Sequence, residues 1–422
     1  MLVIAAPGQG AQTPGFLVPW LDLPGVADRL AGWSGLAGCD LVRCGSTAGA
    51  DEIRDTSVAQ PLLVAAGLAA AEAVFGGPGR MADSADAAAG HSVGELTAGA
   101  IAGVLSAEDA LRLVRARASA MAAAAAVSPT GMTAVLGGDE AQVLAAIEEH
   151  GLTPANVNGS GQIVAAGTVQ QLAAFAGRPP AGARLRPLQV AGAFHTRHMA
   201  MATDALRGAA ANVAVSDPAM VLLSDADGTA VRSGQDWLAR IVNQVSSPVR
   251  WDACMRSMAG LGVTALIELP PAGTLTGLAR RALPGVALLA MKTPAQIPAA
   301  RALAAEHGRA REQDGAQARR GADDADGHQP GADGHHPEWR LLVAPLAGTF
   351  RAGSAGVPAV APGCPVTAQA TLGLVESRGD RRAITPPCPG ALIEWLVEDG
   401  DPVSAGQPIA RLQPAASERR IV

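Results

Sequence analysis

The pentapeptide Gly90-His91-Ser92-Val93-Gly94 constrains this chain more than any other stretch. It follows the small apolar run Ala87-Ala88-Ala89 and leads into Glu95-Leu96-Thr97-Ala98-Gly99-Ala100. A serine on a sharp turn between a strand and a helix needs residues without bulk two places before and two places after it, because the backbone doubles back there. The pattern therefore predicts a strand-turn-helix elbow. Ser92 would stand at a helix N-terminus, where backbone amides and the helix dipole favour developing negative charge. In a chain with 50 glycines and abundant alanine such a pentapeptide also arises by chance, so its meaning depends on its surroundings.

Those surroundings alternate strands with helices up to about residue 298. Leu2 to Ala6 reads as a buried strand, Ala59 to Phe75 and Ala107 to Met121 have helical spacing, and Val263 to Leu269 reads as a strand, which together predict an α/β sheet. Between about residues 299 and 338 Arg, Asp, Gly, Gln and His displace the large apolar residues, as in a disordered linker. His307, His328, His335 and His336 fall there without metal-ligand spacing, so no metal is expected. From about residue 339 to 413, short Val/Leu/Ile runs broken by Gly and Pro predict a small all-β domain.

Four further segments bear on Ser92. Pro7-Gly8-Gln9-Gly10-Ala11-Gln12 is a glycine-rich loop without the lysine of a phosphate-binding loop, better read as a loop of exposed amides. In Arg112-Leu113-Val114-Arg115-Ala116-Arg117, Arg112 and Arg115 share one helix face, leaving Arg117 free to face a pocket. Ala193-Phe194-His195-Thr196-Arg197-His198 supplies two histidines three apart, and Gln244-Val245-Ser246-Ser247-Pro248-Val249 is polar without an evident structural purpose.

Together with Gln60-Pro61, Asn156-Val157-Asn158, Gly161-Gln162 and Leu275-Thr276-Gly277, these segments follow one another in family order, and residues 1 to about 298 resemble the malonyl-CoA:acyl carrier protein transacylase family. The one departure is Pro270-Pro271-Ala272-Gly273, where the family has glycine-proline-glycine. The resemblance implies an α/β-hydrolase-like large subdomain and a ferredoxin-like small subdomain at about residues 127–192. It makes Ser92 the nucleophile, His195 its general base, and the backbone carbonyl of Gln244 the group that orients His195. It assigns the oxyanion hole to the amides of Gln9 and Val93, and the clamp on the malonyl carboxylate to Arg117, whose planar fork grips two oxygens. Phe194 would crowd an α-methyl group and so disfavour methylmalonyl. Asn158 would either shape the pocket or be a turn residue, while His198 and Arg115 read as surface groups.

Residues 339–413 resemble a biotinyl domain of the biotin carboxyl carrier type, a flattened β-barrel, through Ala344-Pro345-Leu346-Ala347-Gly348-Thr349-Phe350 and Val397-Glu398-Asp399-Gly400-Asp401. In that family a lysine on a hairpin turn carries biotin. Here the turn reads Glu376-Ser377-Arg378-Gly379, and Lys292 is the only lysine in the chain. With no amine to acylate, neither biotin nor lipoate can be attached, and no cofactor is expected. This domain would instead dock a synthase or carboxylase partner, or be a relic that merely folds.

The net charge of -6 gives none of the basic surplus that nucleic-acid binding requires. The five scattered cysteines suggest a reduced, cytoplasmic setting, and the alanine runs are too short to span a membrane. Malonyl-CoA and an acyl carrier protein, serving fatty acid or polyketide synthesis, are the expected partners of an acyltransferase. A transacylase of a malonate decarboxylase system, an acyl hydrolase and a non-catalytic scaffold are the alternatives.

Overall fold

Leu2 to Ala6 is apolar and buried at every position, the pattern of a strand covered on both faces. The computed structural model describes residues 1–308 and, beyond them, residues 340–353, 360–361, 363–368, 370–377, 380–386, 388–397, 399–403, 405 and 407–414. The chain divides into two compact units, Met1–Ala325 and Asp326–Val422.

Within residues 1–308 the strands are β1 (Leu2–Ala6), β2 (Ala87–Gly90), β3 (Thr130–Gly137), β4 (Thr153–Gly159), β5 (Gln162–Thr168), β6 (Ala183–Pro187), β7 (Val221–Leu223), β8 (Ala230–Val231), β9 (Ala265–Glu268) and β10 (Ala287–Ala290). The larger sheet has the order β10-β9-β1-β2-β7-β8, parallel except for the antiparallel edge strand β8. Because β1 and β2 are parallel neighbours, with Val3 opposite Ala87 and Ala6 opposite Gly90, the loops that leave them emerge side by side at the carboxyl ends of the strands. Ligands of open α/β sheets bind at those ends. The loop Pro7–Gly10 and the Ser92 turn are therefore brought together by the sheet itself.

The helix Thr56–Phe75 is buried on nearly every side, with the Asp55 carboxylate accepting from the Ser57 amide at its start and Gly76 closing it at φ +82°. It is long and apolar enough to cross a membrane, yet 83% of its apolar window is inside this fold. The helix Ala107–Ala125 packs against it. Arg117 lies on the buried face, whereas Arg112 and Arg115 are exposed. The smaller sheet, order β4-β5-β3-β6, is antiparallel throughout. Helices Glu140–Glu149 and Val169–Gly177 cover it, and Val135, Ile147, Ile163 and Phe175 form its own core.

The first unit runs past the boundary expected at residue 298. Ile297–His307 is a helix, not linker: Ala300 and Ala304 are buried, and the Arg301 guanidinium donates to the carbonyls of Ala73 and Val74. Alanine is enough for a helix that packs this closely, so the lack of large apolar residues concealed it. His307 contacts Thr264, while His328, His335, His336 and the expected linker after residue 308 lie outside the described residues.

Two glycines permit the elbow. A Cβ on Gly94 would come 2.2 Å from the Ala6 oxygen, and one on Gly90 would come 2.1 Å from the Gly94 carbon and the Glu95 nitrogen. Backbone cannot yield as a flexible side chain can. Gly94→Ala is expected to cost about 3 kcal/mol or more, measurable as a fall in the denaturant midpoint.

In the second unit two four-stranded antiparallel sheets are described. Leu342, Phe350, Val375, Leu392, Ile409 and Leu412 are buried between their strands, and the rings of Phe350 and Trp395 lie 5.1 Å apart. The hairpin Gly373–Ser377 with Asp380–Ile384 pairs up to Ser377 and Asp380. Arg378 and Gly379, the turn where the lysine is missing, lie outside the described residues.

Candidate active site

The turn that follows β2 holds Ser92 at φ +54°, in the left-handed region that a serine seldom occupies. This conformation projects Oγ above the carboxyl ends of the strands, at the start of the helix Gly94–Ile101. Ser92 Oγ is 2.7 Å from His195 Nε2. His195 is itself left-handed, at φ +60°, and its segment is fixed by the Ala193 amide donating to Thr130 Oγ1 and by Thr196 Oγ1 donating to the Ala193 carbonyl. His195 Nδ1 lies 2.9 Å from the carbonyl oxygen of Gln244, the last residue of the helix Gly234–Gln244, where carbonyls lack donors from their own helix. A carbonyl only accepts, so Nδ1 carries the proton and Nε2 presents its lone pair to Ser92. Burial, and then the charge of Arg117, pull the imidazole down to about 3. It is neutral at pH 7 and able to take a proton.

Arg117 is 1% exposed and stands behind Gln60 and Ser92. Its Nη1 donates to Gln60 Oε1 at 2.6 Å, and its Nη2 reaches Gln244 Oε1 at 2.7 Å and Ser92 Oγ at 3.3 Å. Burial lowers the guanidinium to about 10, which leaves it charged at neutral pH. Beneath it lie two carboxyl groups, Glu95 and Asp225, both raised, chiefly by burial.

A cavity of about 230 Å³ opens over this arrangement, lined among others by Gln9, Gln60, Ser92, Asn158, Phe194 and His195. Val93 is buried just below as the cap of the Gly94–Ile101 helix. The Gly8–Gln9 loop sits against the elbow so closely that a Cβ on Gly8 would meet the His91 oxygen at 2.8 Å. Asn158 is on β4, not in a turn, and its Oδ1 is 2.9 Å from His91 Nε2. His198 is only partly buried, and Arg115 is exposed, with its Nη1 3.3 Å from the Gly35 carbonyl. A larger groove of about 460 Å³, with Arg29, Glu72 and Arg301 on its walls, contains no nucleophile.

Sequence reasoning missed Asp225 altogether and treated Glu95 and Gln60 as motif letters only. Ser224-Asp225-Ala226-Asp227-Gly228 has the composition of a turn, and two of the partners of Asp225, Glu95 and Ser92, lie 130 and 133 residues away, so no local pattern marks it. The Pro270–Gly273 loop that departs from the family pattern is tied down by Glu268, whose buried carboxylate accepts from the amides of Gly273, Leu275 and Thr276. Among the described residues no group of His, Cys, Asp and Glu is arranged to hold a metal.

A serine hydroxyl paired with a neutral histidine, on a strained turn at the end of a parallel sheet, fits an enzyme that works through a serine ester. The comparisons specify which kind. Residues 19–306 match the acyl transferase domain family, and the chain belongs to it. It is 52% identical over 302 residues to the malonyl CoA-acyl carrier protein transacylase of Mycobacterium tuberculosis, a match that covers 70% of this chain and 98% of that one. The crystal structure of MCAT from the same organism superposes with a TM-score of 0.69 at 50% identity, covering 71% of this chain and 99% of the other. A malonyl-transacylase solved in complex with its type II polyketide synthase acyl-carrier protein superposes with a TM-score of 0.66 at 29% identity, covering 71% and 98%. The first unit is thus an α/β acyltransferase.

Proposed function

We propose that this chain moves a malonyl group from malonyl-CoA to the phosphopantetheine thiol of an acyl carrier protein, for fatty acid or polyketide synthesis. The observation that carries the reading is that Ser92 Oγ lies between two groups of opposite purpose, 2.7 Å from a proton acceptor and 3.3 Å from a buried guanidinium. His195 Nε2 takes the hydroxyl proton as Oγ bonds to the thioester carbon. The negative charge that develops on the carbonyl oxygen is met by the amides of Gln9 and Val93. When the carbon–sulfur bond breaks, the proton passes from His195 to the CoA sulfur. The carrier's thiol reverses these steps: it gives its proton to His195 as its sulfur bonds to the ester carbon, and His195 returns that proton to Ser92 Oγ as the ester bond breaks. Arg117 holds the free carboxylate of the malonyl group, which acetyl-CoA lacks.

Phe194, 5% exposed beside His195, favours malonyl over methylmalonyl. Phe194→Ala is expected to raise the methylmalonyl-to-malonyl ratio of kcat/KM by about tenfold, as competition between the two CoA esters would reveal.

The order β4-β5-β3-β6 in a β-α-β-β-α-β unit supports a ferredoxin-like insert on an α/β-hydrolase-like body. The antiparallel sheets of the second unit support a barrel of biotinyl type that, without a lysine, serves as a docking module for a synthase or carboxylase in the cytoplasm. The test is CoA release from malonyl-CoA with and without a holo acyl carrier protein. Release that depends on the carrier, with malonyl recovered on it, supports the transferase. Equal release without a carrier would make the chain a hydrolase.

A further inference from the structure

The loop of residues 7–12 brings Gln9 to the cavity wall, and something other than packing has to hold its far side in place. Gly10 is exposed at φ +109°, and nothing lies within 4 Å of the position a Cβ would take there. The elbow supports the loop from one side, through the close approach of Gly8 to His91. On the other side stands the turn of residues 53–56, between the helices Ala50–Arg54 and Thr56–Phe75. Ile53 is 2% exposed and Thr56 is 1% exposed, so this turn belongs to the core and is a fixed point.

Gln12 spans the gap between the loop and that turn. Its Oε1 accepts the Gly10 backbone N–H at 2.8 Å, and its Nε2 donates to the Ile53 carbonyl at 3.0 Å. A backbone N–H only donates and a carbonyl only accepts, so the Gln12 amide fits in one orientation. Ile53 lies in the last turn of its helix, where carbonyls lack donors from their own helix. Gln9 reaches the same turn more loosely, with its Nε2 3.3 Å from the Arg54 carbonyl and 3.4 Å from Thr56 Oγ1. Among the described residues no acceptor takes the Gln9 backbone N–H.

We propose that Gln12 is a positioning residue of the transfer reaction, the anchor that ties the loop to the core so that the Gln9 N–H points at the oxygen that becomes negative. The inference rests on the proposed transfer activity and on the oxyanion hole assigned there.

An oxyanion donor is effective because it is in place before the charge develops. Glycines at 8 and 10 leave the backbone on either side of Gln9 free to swing unless something fixes it. Gly8 is fixed by the elbow and Gly10 by Gln12, so the Gln9 N–H is held from both flanks. Without the Gln12 amide, the Gly10 N–H and the Ile53 carbonyl turn to water and the loop loses its tie to the core. Acylation and transfer pass through the same kind of oxyanion, so the loss falls on both half-reactions.

The test separates this inference from the functional reading beneath it. Wild-type, Gln12→Leu and Gln12→Asn proteins are compared for kcat and KM with malonyl-CoA and acetyl-CoA as donors to a holo acyl carrier protein, at temperatures where thermal unfolding shows each to be folded. Leucine keeps the bulk and loses both bonds, whereas asparagine, one methylene shorter, cannot reach Gly10 and Ile53 together. A wild type without transfer activity refutes the functional reading. With an active wild type, Gln12→Leu is expected to lose about 30- to 100-fold in kcat, the size of effect that a displacement near 1 Å produces, and Gln12→Asn at least about tenfold. KM for malonyl-CoA is expected to change less than about threefold, because the anchored donor meets the charge of the transition state and not the bound ester. The malonyl-to-acetyl ratio of kcat/KM is expected to stay within about threefold of wild type, since both esters form the same oxyanion and only one uses Arg117. A kcat within about threefold of wild type in either folded variant overturns the proposal. So does a loss confined to KM, or a collapse of the malonyl-to-acetyl ratio. Gln12→Asn decides the matter if the leucine variant fails to fold.

Discussion

Ser92→Ala is expected to lower malonyl transfer by at least about 10⁴-fold while leaving global stability within about 1 kcal/mol of wild type. The large loss follows because the covalent route needs an oxygen that alanine lacks. Among the described residues, the hydroxyl in contact with His195 Nε2 is Ser92 Oγ, 2.7 Å away. The small stability effect follows because the strain at φ +54° is a property of the backbone, which Gly90 and Gly94 permit and the Asp225 bond to the residue-92 amide maintains. Activity retained in this variant would require a route with no serine ester, and thermal unfolding of the same preparation shows whether the fold was kept.

Arg117→Ala is expected to reduce kcat/KM for malonyl-CoA by about 10²- to 10³-fold, and for acetyl-CoA by less than about tenfold, so that the preference between them collapses. Truncating one member of a buried, hydrogen-bonded charge pair costs about 2–5 kcal/mol, and 1.4 kcal/mol is about tenfold in rate. Only the malonyl ester has a carboxylate to lose that partner. The same change leaves a carboxylate buried without a counter-charge, so a drop in stability of about 3–5 kcal/mol is expected as well. Arg117→Lys separates the effects, because it keeps the charge and loses the two-pronged geometry. Steady-state rates with both CoA esters, taken where each variant is folded, check the ratio.

The positions of both residues were legible in the sequence because the reasons for them are local. The turn at Ser92 demands glycine at 90 and 94, and the helical spacing of Arg112, Arg115 and Arg117 sends the last of them inward. The parallel core was legible for a similar reason, since a strand buried on both faces shows as an unbroken apolar run at Leu2 to Ala6. Asp225 was not legible. Its contact with the Ser92 amide exists only once the parallel pairing of β2 with β7 brings residues 92 and 225 together, and nothing in a turn-like pentapeptide records that pairing. The helix Ile297–His307 was missed for the opposite reason. Its composition resembles that of the residues after it, and only close packing against the end of the Thr56–Phe75 helix distinguishes it. Asn158 read more readily as a turn than as a pocket residue until its strand placed it opposite His91.

The central claim is that Ser92 carries malonyl as an ester, and intact-mass measurement of the folded protein after brief exposure to malonyl-CoA tests it most directly. The account predicts one malonyl adduct on the wild type, none on Ser92→Ala, little from acetyl-CoA, and disappearance of the adduct when a holo acyl carrier protein is added. Folded wild-type protein that gains no adduct and releases no CoA would contradict it.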